Sequence, residues 1–115
     1  MLINRLKKKG EYASVFNKGK HLRFNSFIIQ YAKRLNPNTH TQPRYGIIAS
    51  KKVGNAVKRN FAKRRIRSLE HVINTLGDKN LDYVLIVKKN IIAKNYNILR
   101  LELTNALNKI KETAL

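Results

Sequence analysis

The chain has no cysteine, no tryptophan, one methionine, two prolines and only six acidic residues in 115. Without cysteine there can be no disulfide, zinc ribbon or thiol nucleophile. The acids, Glu11, Glu70, Asp78, Asp82, Glu102 and Glu112, are scattered, and no two are spaced as an acid–base dyad or a metal-binding pair. His21, His40 and His71 show no ligand spacing, and Gly46 and Gly54 are too isolated to suggest a phosphate loop. The sequence therefore offers no catalytic residue and no metal site of its own. No apolar run approaches the ~20 residues that span a bilayer, and Met1-Leu2-Ile3-Asn4-Arg5 lacks a signal-peptide core. Membrane is not an expected partner, and a cytoplasmic location is the simplest expectation.

Positive charge is abundant. Lys and Arg number 25 against the six acids, a formal net charge of +19. Such an excess opposes compaction and favours a polyanionic partner, above all nucleic acid. The length suits one domain over residues 1–115, with residues 1–10 expected as a flexible basic arm.

The charge is densest over Lys51–Arg67, with eight Lys or Arg in seventeen residues and no acid until Glu70. At roughly 100° per residue, Phe61, Ala62, Ile66, Leu69, Val72, Ile73 and Leu76 share one arc, predicting a helix over about 55–75. Arg59, Lys63 and Arg67 lie opposite, flanked by Asn60 and Arg64. Lys58 and Arg65 fall inside the apolar arc, so their stems must snorkel or that part of the arc stays open. Like charges one turn apart destabilise a free helix, which makes sense when a polyanion neutralises them. Gly54-Asn55 supplies a break and an N-cap, and Lys51 and Lys52 fall in the approach loop near the positive end of the helix dipole.

Elsewhere, Tyr12, Val15 and Phe16 predict a short helix over about 11–18, stopped by Gly19. Lys20–Phe24 reads as a short strand and Phe27–Lys33 as a longer one, with Phe27, Ile29 and Tyr31 toward the core and Ile28, Gln30 and Ala32 on the other face. Residues 35–43 form a turn-rich loop. Arg44–Ser50 is expected to be the antiparallel partner of the preceding strand. Tyr83–Lys88 is apolar enough for burial on both faces, and residues 95–113 form a closing helix. The order is αβββαβα, an α+β sandwich. Tyr12 and Phe16, one turn apart, suit either the core or the stacking of single-stranded bases. A small ribosomal protein shares this charge and build, and a DNA-binding regulator could place the basic helix in a major groove, although nothing here resembles a helix-turn-helix pair.

The run Lys51-Lys52-Val53-Gly54-Asn55-Ala56-Val57-Lys58-Arg59-Asn60, followed by Lys63-Arg64-Arg65-Ile66-Arg67, closely resembles the signature of the bacterial ribonuclease P protein subunit. Supporting matches are Arg5-Leu6-Lys7-Lys8, the Tyr12, Val15, Phe16 and Gly19 spacing, and Tyr83–Val87. The resemblance covers about residues 5–110. It implies a single mixed four-stranded sheet with helices packed on it, of the ribosomal protein S5 domain 2-like type with a left-handed βαβ crossover. It implies a holoenzyme that removes the 5′ leader from precursor tRNA, in which a catalytic RNA and its Mg²⁺ carry the chemistry. The expected partners are that RNA and precursor tRNA, with no obligatory protein partner. By the same resemblance Lys51, Lys52, Asn55, Arg59, Asn60, Lys63, Arg64 and Arg67 contact the catalytic RNA. Tyr12, Phe16, Ile28 and Gln30 line a cleft for the single-stranded leader. Two positions depart from the family pattern. Phe61 replaces a usual arginine and is expected to pack inward, and Gln30 stands where some relatives have an aromatic residue.

Overall fold

Leu81–Val87 (β5) is the strand around which the sheet is assembled. Its residues are buried at every position but one, as a continuous apolar run requires when both faces are covered. Phe27–Lys33 (β3) pairs with it antiparallel on one side, and Arg44–Ile48 (β4) pairs parallel on the other. Lys20–Arg23 (β2) lies antiparallel on β3, and the two-residue strand Asn4–Arg5 (β1) lies parallel on β4. The sheet order is β1-β4-β5-β3-β2. The computed structural model describes residues 4–6, 9–34 and 40–114; the remaining positions of the basic arm and residues 35–39 of the turn-rich loop lie outside the described residues.

The four strands expected from the sequence form a mixed sheet, and β1 extends its edge. Two expectations are corrected. β4 is not the antiparallel partner of β3, because β5 alone is apolar on both faces and takes the place between them. Residues 4–6 are not a loose arm. Arg5 is in register with Tyr45, the Leu6 N–H donates to the Tyr45 carbonyl at 2.8 Å, and Leu6 is only 5% exposed.

Helices cover both faces. Lys9–Lys18 (α1) buries Val15 against Leu6, Ala32 and Val84. On the opposite face Ala56–Arg67 (α2), Glu70–Leu76 (α3) and Tyr96–Ala114 (α4) enclose the larger core. There Phe27, Ile29, Tyr45, Tyr83 and Leu85 meet Ile66, Ile73, Leu99 and Leu103. The period-two alternation of the strands separates the two clusters.

The single helix expected over 55–75 is two helices. At the junction the Ser68 N–H reaches back to the Arg64 carbonyl, its hydroxyl donates to the Arg65 carbonyl at 2.6 Å, and the Leu69 N–H bonds three residues back to Ile66. A serine that competes for helix carbonyls in this way tightens and ends the turn. Leu69 thereby enters the core completely.

Tyr83 crosses this core, and its hydroxyl accepts a hydrogen bond from the Asp78 N–H at 2.8 Å. Burial pushes the phenol up to about 12, with the Asp78 N–H holding it back. In the unfolded chain the same group ionises near its ordinary value of 10.0. Its contribution to stability is therefore complete below pH ~10 and falls by roughly 1.4 kcal/mol per pH unit as pH rises toward 12. Unfolding free energy measured across this window should fall less steeply in Tyr83→Phe than in the parent.

Candidate nucleic-acid interface

The approach to α2 is a tight turn anchored by one apolar residue. Val53 is buried, its N–H bonds the Ser50 carbonyl at 3.0 Å, and the Gly54 N–H bonds the Lys51 carbonyl at 3.1 Å. Gly54 has φ 143°, a conformation L side chains rarely adopt. A Cβ there would also stand 2.7 Å from the Lys58 side chain. Asn55 follows as the N-cap, its side-chain oxygen accepting from the Lys58 N–H at 3.0 Å. That side chain is thus committed to the helix end. Lys51 and Lys52 stand exposed in the turn.

Along α2, Asn60, Arg64 and Arg67 are exposed, and Arg59 and Lys63 are half-buried. Among the described residues none of Lys51, Lys52, Arg59, Lys63, Arg64 and Arg67 forms an ion pair. The nearest acid in sequence, Glu70, is taken by Arg5 and by the hydroxyl of Tyr45. The cationic stripe is therefore not neutralised by carboxylates among the described residues. The two basic residues within the apolar arc behave differently. The Lys58 stem lies over Gly54, while Arg65 donates to the Lys94 carbonyl and sits 5.7 Å from the centre of the Phe61 ring. Phe61 itself is 37% exposed, which corrects the expectation that it packs inward. Ala62 and Ile66 fill the core-facing side, and the Phe61 ring is left at the rim beneath the Arg65 guanidinium.

A groove opens where α1 crosses the sheet face. It has a volume of about 380 Å³ and is lined by Lys9, Tyr12, Ala13, Phe16, Ile47 and Ile48. Phe16 is 45% exposed, so it belongs to the surface of this groove and not to the core. The Tyr12 ring rests on Gly46. A Cβ at position 46 would come within 2.4 Å of the Tyr12 hydroxyl and 2.6 Å of its ring, so only glycine leaves room for it. The Tyr12 hydroxyl donates to the Leu6 carbonyl at 3.3 Å, and burial raises its pKa above the usual phenol value. Ile28 and Gln30 lie on the same sheet face, opposite Ile86 and Val84, but they do not line the groove. Ile48 on β4 lines it instead. Gln30 keeps its side-chain carbonyl oxygen enclosed with no hydrogen-bond partner.

A smaller pocket of about 160 Å³ adjoins the groove, and the two share Tyr12 and Ile47. Arg5, Leu6, Tyr45, Gly46, Lys63 and Arg67 complete its walls. Arg5, Gly46 and Ile48 build these surfaces without a local sequence signal that marks them. Their alternation along Tyr45–Ile48 was legible, but the parallel placement of β4 beside β1 was not.

The family model for ribonuclease P matches residues 3–111. The ribonuclease P protein component of Mycoplasma mycoides is 35% identical over 107 residues, covering 92% of this chain and 94% of that one. Its counterpart from Petrotoga mobilis is 38% identical over 92 residues, covering 80% and 74%. Among solved structures, the RNase P protein from Thermotoga maritima superposes with a TM-score of 0.78 at 27% identity, covering 93% of this chain and 97% of that one. A Staphylococcus aureus RNase P protein mutant with defective mRNA degradation activity superposes with a TM-score of 0.78 at 26% identity, covering 93% and 87%.

Proposed function

This chain belongs to the ribonuclease P protein family, the protein subunit of a tRNA-processing ribonucleoprotein, and on that premise we propose how it divides its work between two RNAs. The turn at Lys51–Asn55 and the outer face of α2 bind the catalytic RNA, largely through phosphates. The groove between α1 and the sheet receives the single-stranded 5′ leader of precursor tRNA. The observation that carries this reading is the junction at Tyr12, where a cationic helix face without carboxylate partners among the described residues meets an apolar groove rimmed by two aromatic side chains. Cations give affinity for phosphate without reading sequence, and aromatic platforms beside them suit unstacked bases.

Mg²⁺ is assigned to the RNA. Among the described residues no three His, Asp or Glu side chains gather where they could hold a metal ion. In this reading Mg²⁺ stays with the RNA, and the protein's share is binding and positioning. Glu11, Glu70 and Asp82 are held in ion pairs, and Glu102 accepts the Ser26 N–H at 2.8 Å.

Phe16→Ala tests the groove. It should weaken the holoenzyme's hold on precursor tRNA by about 1–3 kcal/mol, the usual worth of one base–aromatic stack. Mature tRNA, which has no leader, should bind almost as before. Because Phe16 is half exposed, the melting temperature should hardly move. Equal losses for the two RNAs would remove the leader from the groove.

A further inference from the structure

We propose that the pocket beside Tyr12 is a phosphodiester site for one leader nucleotide, whose base lies in the adjoining groove. This rests on the leader reading above and adds to it a register and two residues, Arg5 and Tyr45. The pocket and groove share Tyr12 and Ile47 as a common wall. That wall is fixed, since the Tyr12 ring is seated on Gly46 and its hydroxyl is tied to Leu6. On the groove side the lining is almost wholly apolar, with Phe16, Ala13 and Ile48. On the pocket side three cations converge, Arg5, Lys63 and Arg67. A nucleotide has this same polarity, with a flat apolar base at one end and an anionic linkage at the other.

The charges on the pocket side are available. The side chains of Lys63 and Arg67 form no hydrogen bond or ion pair among the described residues. Glu70 is the carboxylate bound to Arg5. It takes Nε and Nη2 of Arg5 and the Tyr45 hydroxyl. Glu70 holds Arg5 in place, and the pocket lining carries Arg5, Lys63 and Arg67 and no acid. Two cations one turn apart on α2 and a third from β1, set around a cavity of about 160 Å³, are arranged to surround one phosphate.

The test is a set of precursor tRNAs, each carrying one uncharged methylphosphonate linkage at a successive leader position. Their affinities are measured with the holoenzyme made from the parent chain, from Arg67→Gln and from Glu70→Gln. One leader linkage should lose affinity when neutralised, by about 4- to 6-fold at ~0.15 M salt, the effect of one lost phosphate contact. In Arg67→Gln the penalty at that linkage should shrink, while penalties elsewhere in the leader stay as in the parent. In Glu70→Gln the charged linkage should bind more tightly and the neutral one should not, an outcome that loss of folding cannot imitate. If no linkage penalty depends on Arg67, the pocket is not a leader phosphate site. If Arg67→Gln instead weakens only the catalytic RNA, its occupant is a phosphate of that RNA and the proposal is overturned. Failure of the leader reading itself looks different, because precursor and mature tRNA would then bind alike.

Discussion

Asp82→Ala is expected to lower the unfolding free energy by about 3–5 kcal/mol, the usual result of breaking a buried ion pair from one side. Asp82 lies in the central strand and is only 6% exposed. Its two oxygens accept from Nε and Nη2 of Arg44 at 2.8 and 2.7 Å, a fork, and Nε of Arg34 stands 3.4 Å away. Arg44 also pairs with Glu11 on α1, so the network fastens α1 to the ends of β4 and β5. Removing the carboxylate leaves two guanidinium groups facing each other, and the Arg34 side chain is nearly as buried as Asp82. Burial already lowers the Arg34 pKa below its ordinary value, and the neighbouring Arg44 lowers it further, with Asp82 opposing both. Urea unfolding measures the loss. Replacing Asp82, Arg34 and Arg44 together by apolar residues should cost much less, because no buried guanidinium is then left without its carboxylate. A loss below ~1 kcal/mol in Asp82→Ala would mean that water reaches these groups and screens them.

The second large effect concerns affinity. Replacing Lys51, Lys52, Arg59 and Arg64 together by Gln removes four cations from the turn and the outer face of α2 and leaves Lys63 and Arg67 of the leader pocket in place. Each phosphate contact contributes roughly 0.7–0.9 to the slope of log affinity against log salt. The slope for the catalytic RNA should therefore flatten by up to about 3–4, and affinity at ~0.15 M salt should fall by about 10²–10³-fold. The fold should survive. The core side of this helix is Ala62 and Ile66, and removing like charges one turn apart relieves repulsion. An unchanged slope with an intact circular-dichroism spectrum would move the catalytic RNA to another surface.

Most of the fold was legible because its signals were local. The apolar run at Tyr83–Val87 announced a strand buried on both faces, and Gly54-Asn55 announced the start of α2. Pairing was not local. Nothing within Phe27–Lys33 or Arg44–Ile48 says that β5 separates them; that follows from which strand needs both faces covered. Ser68 ended α2 through a side-chain bond to Arg65 that a wheel cannot display. The wheel also placed Phe61 inward, although the core was already filled by its neighbour Ala62 and by Ile66. At the candidate site, residue types were readable and their partners were not. Tyr12 and Phe16 were visible as a pair, while the β4 residues that line the groove with them are Ile47 and Ile48, with Gly46 making room for the Tyr12 ring.

The central claim is that one side of this subunit holds the catalytic RNA while the groove at Tyr12 and Phe16 holds the leader. It is tested most directly by cleavage of precursor tRNAs with leaders of increasing length, by the catalytic RNA at low Mg²⁺, with and without this protein. The account predicts an enhancement in kcat/KM that grows with leader length and levels off once the groove is filled. The growth should be lost in Phe16→Ala. An enhancement independent of leader length, or none, would contradict it.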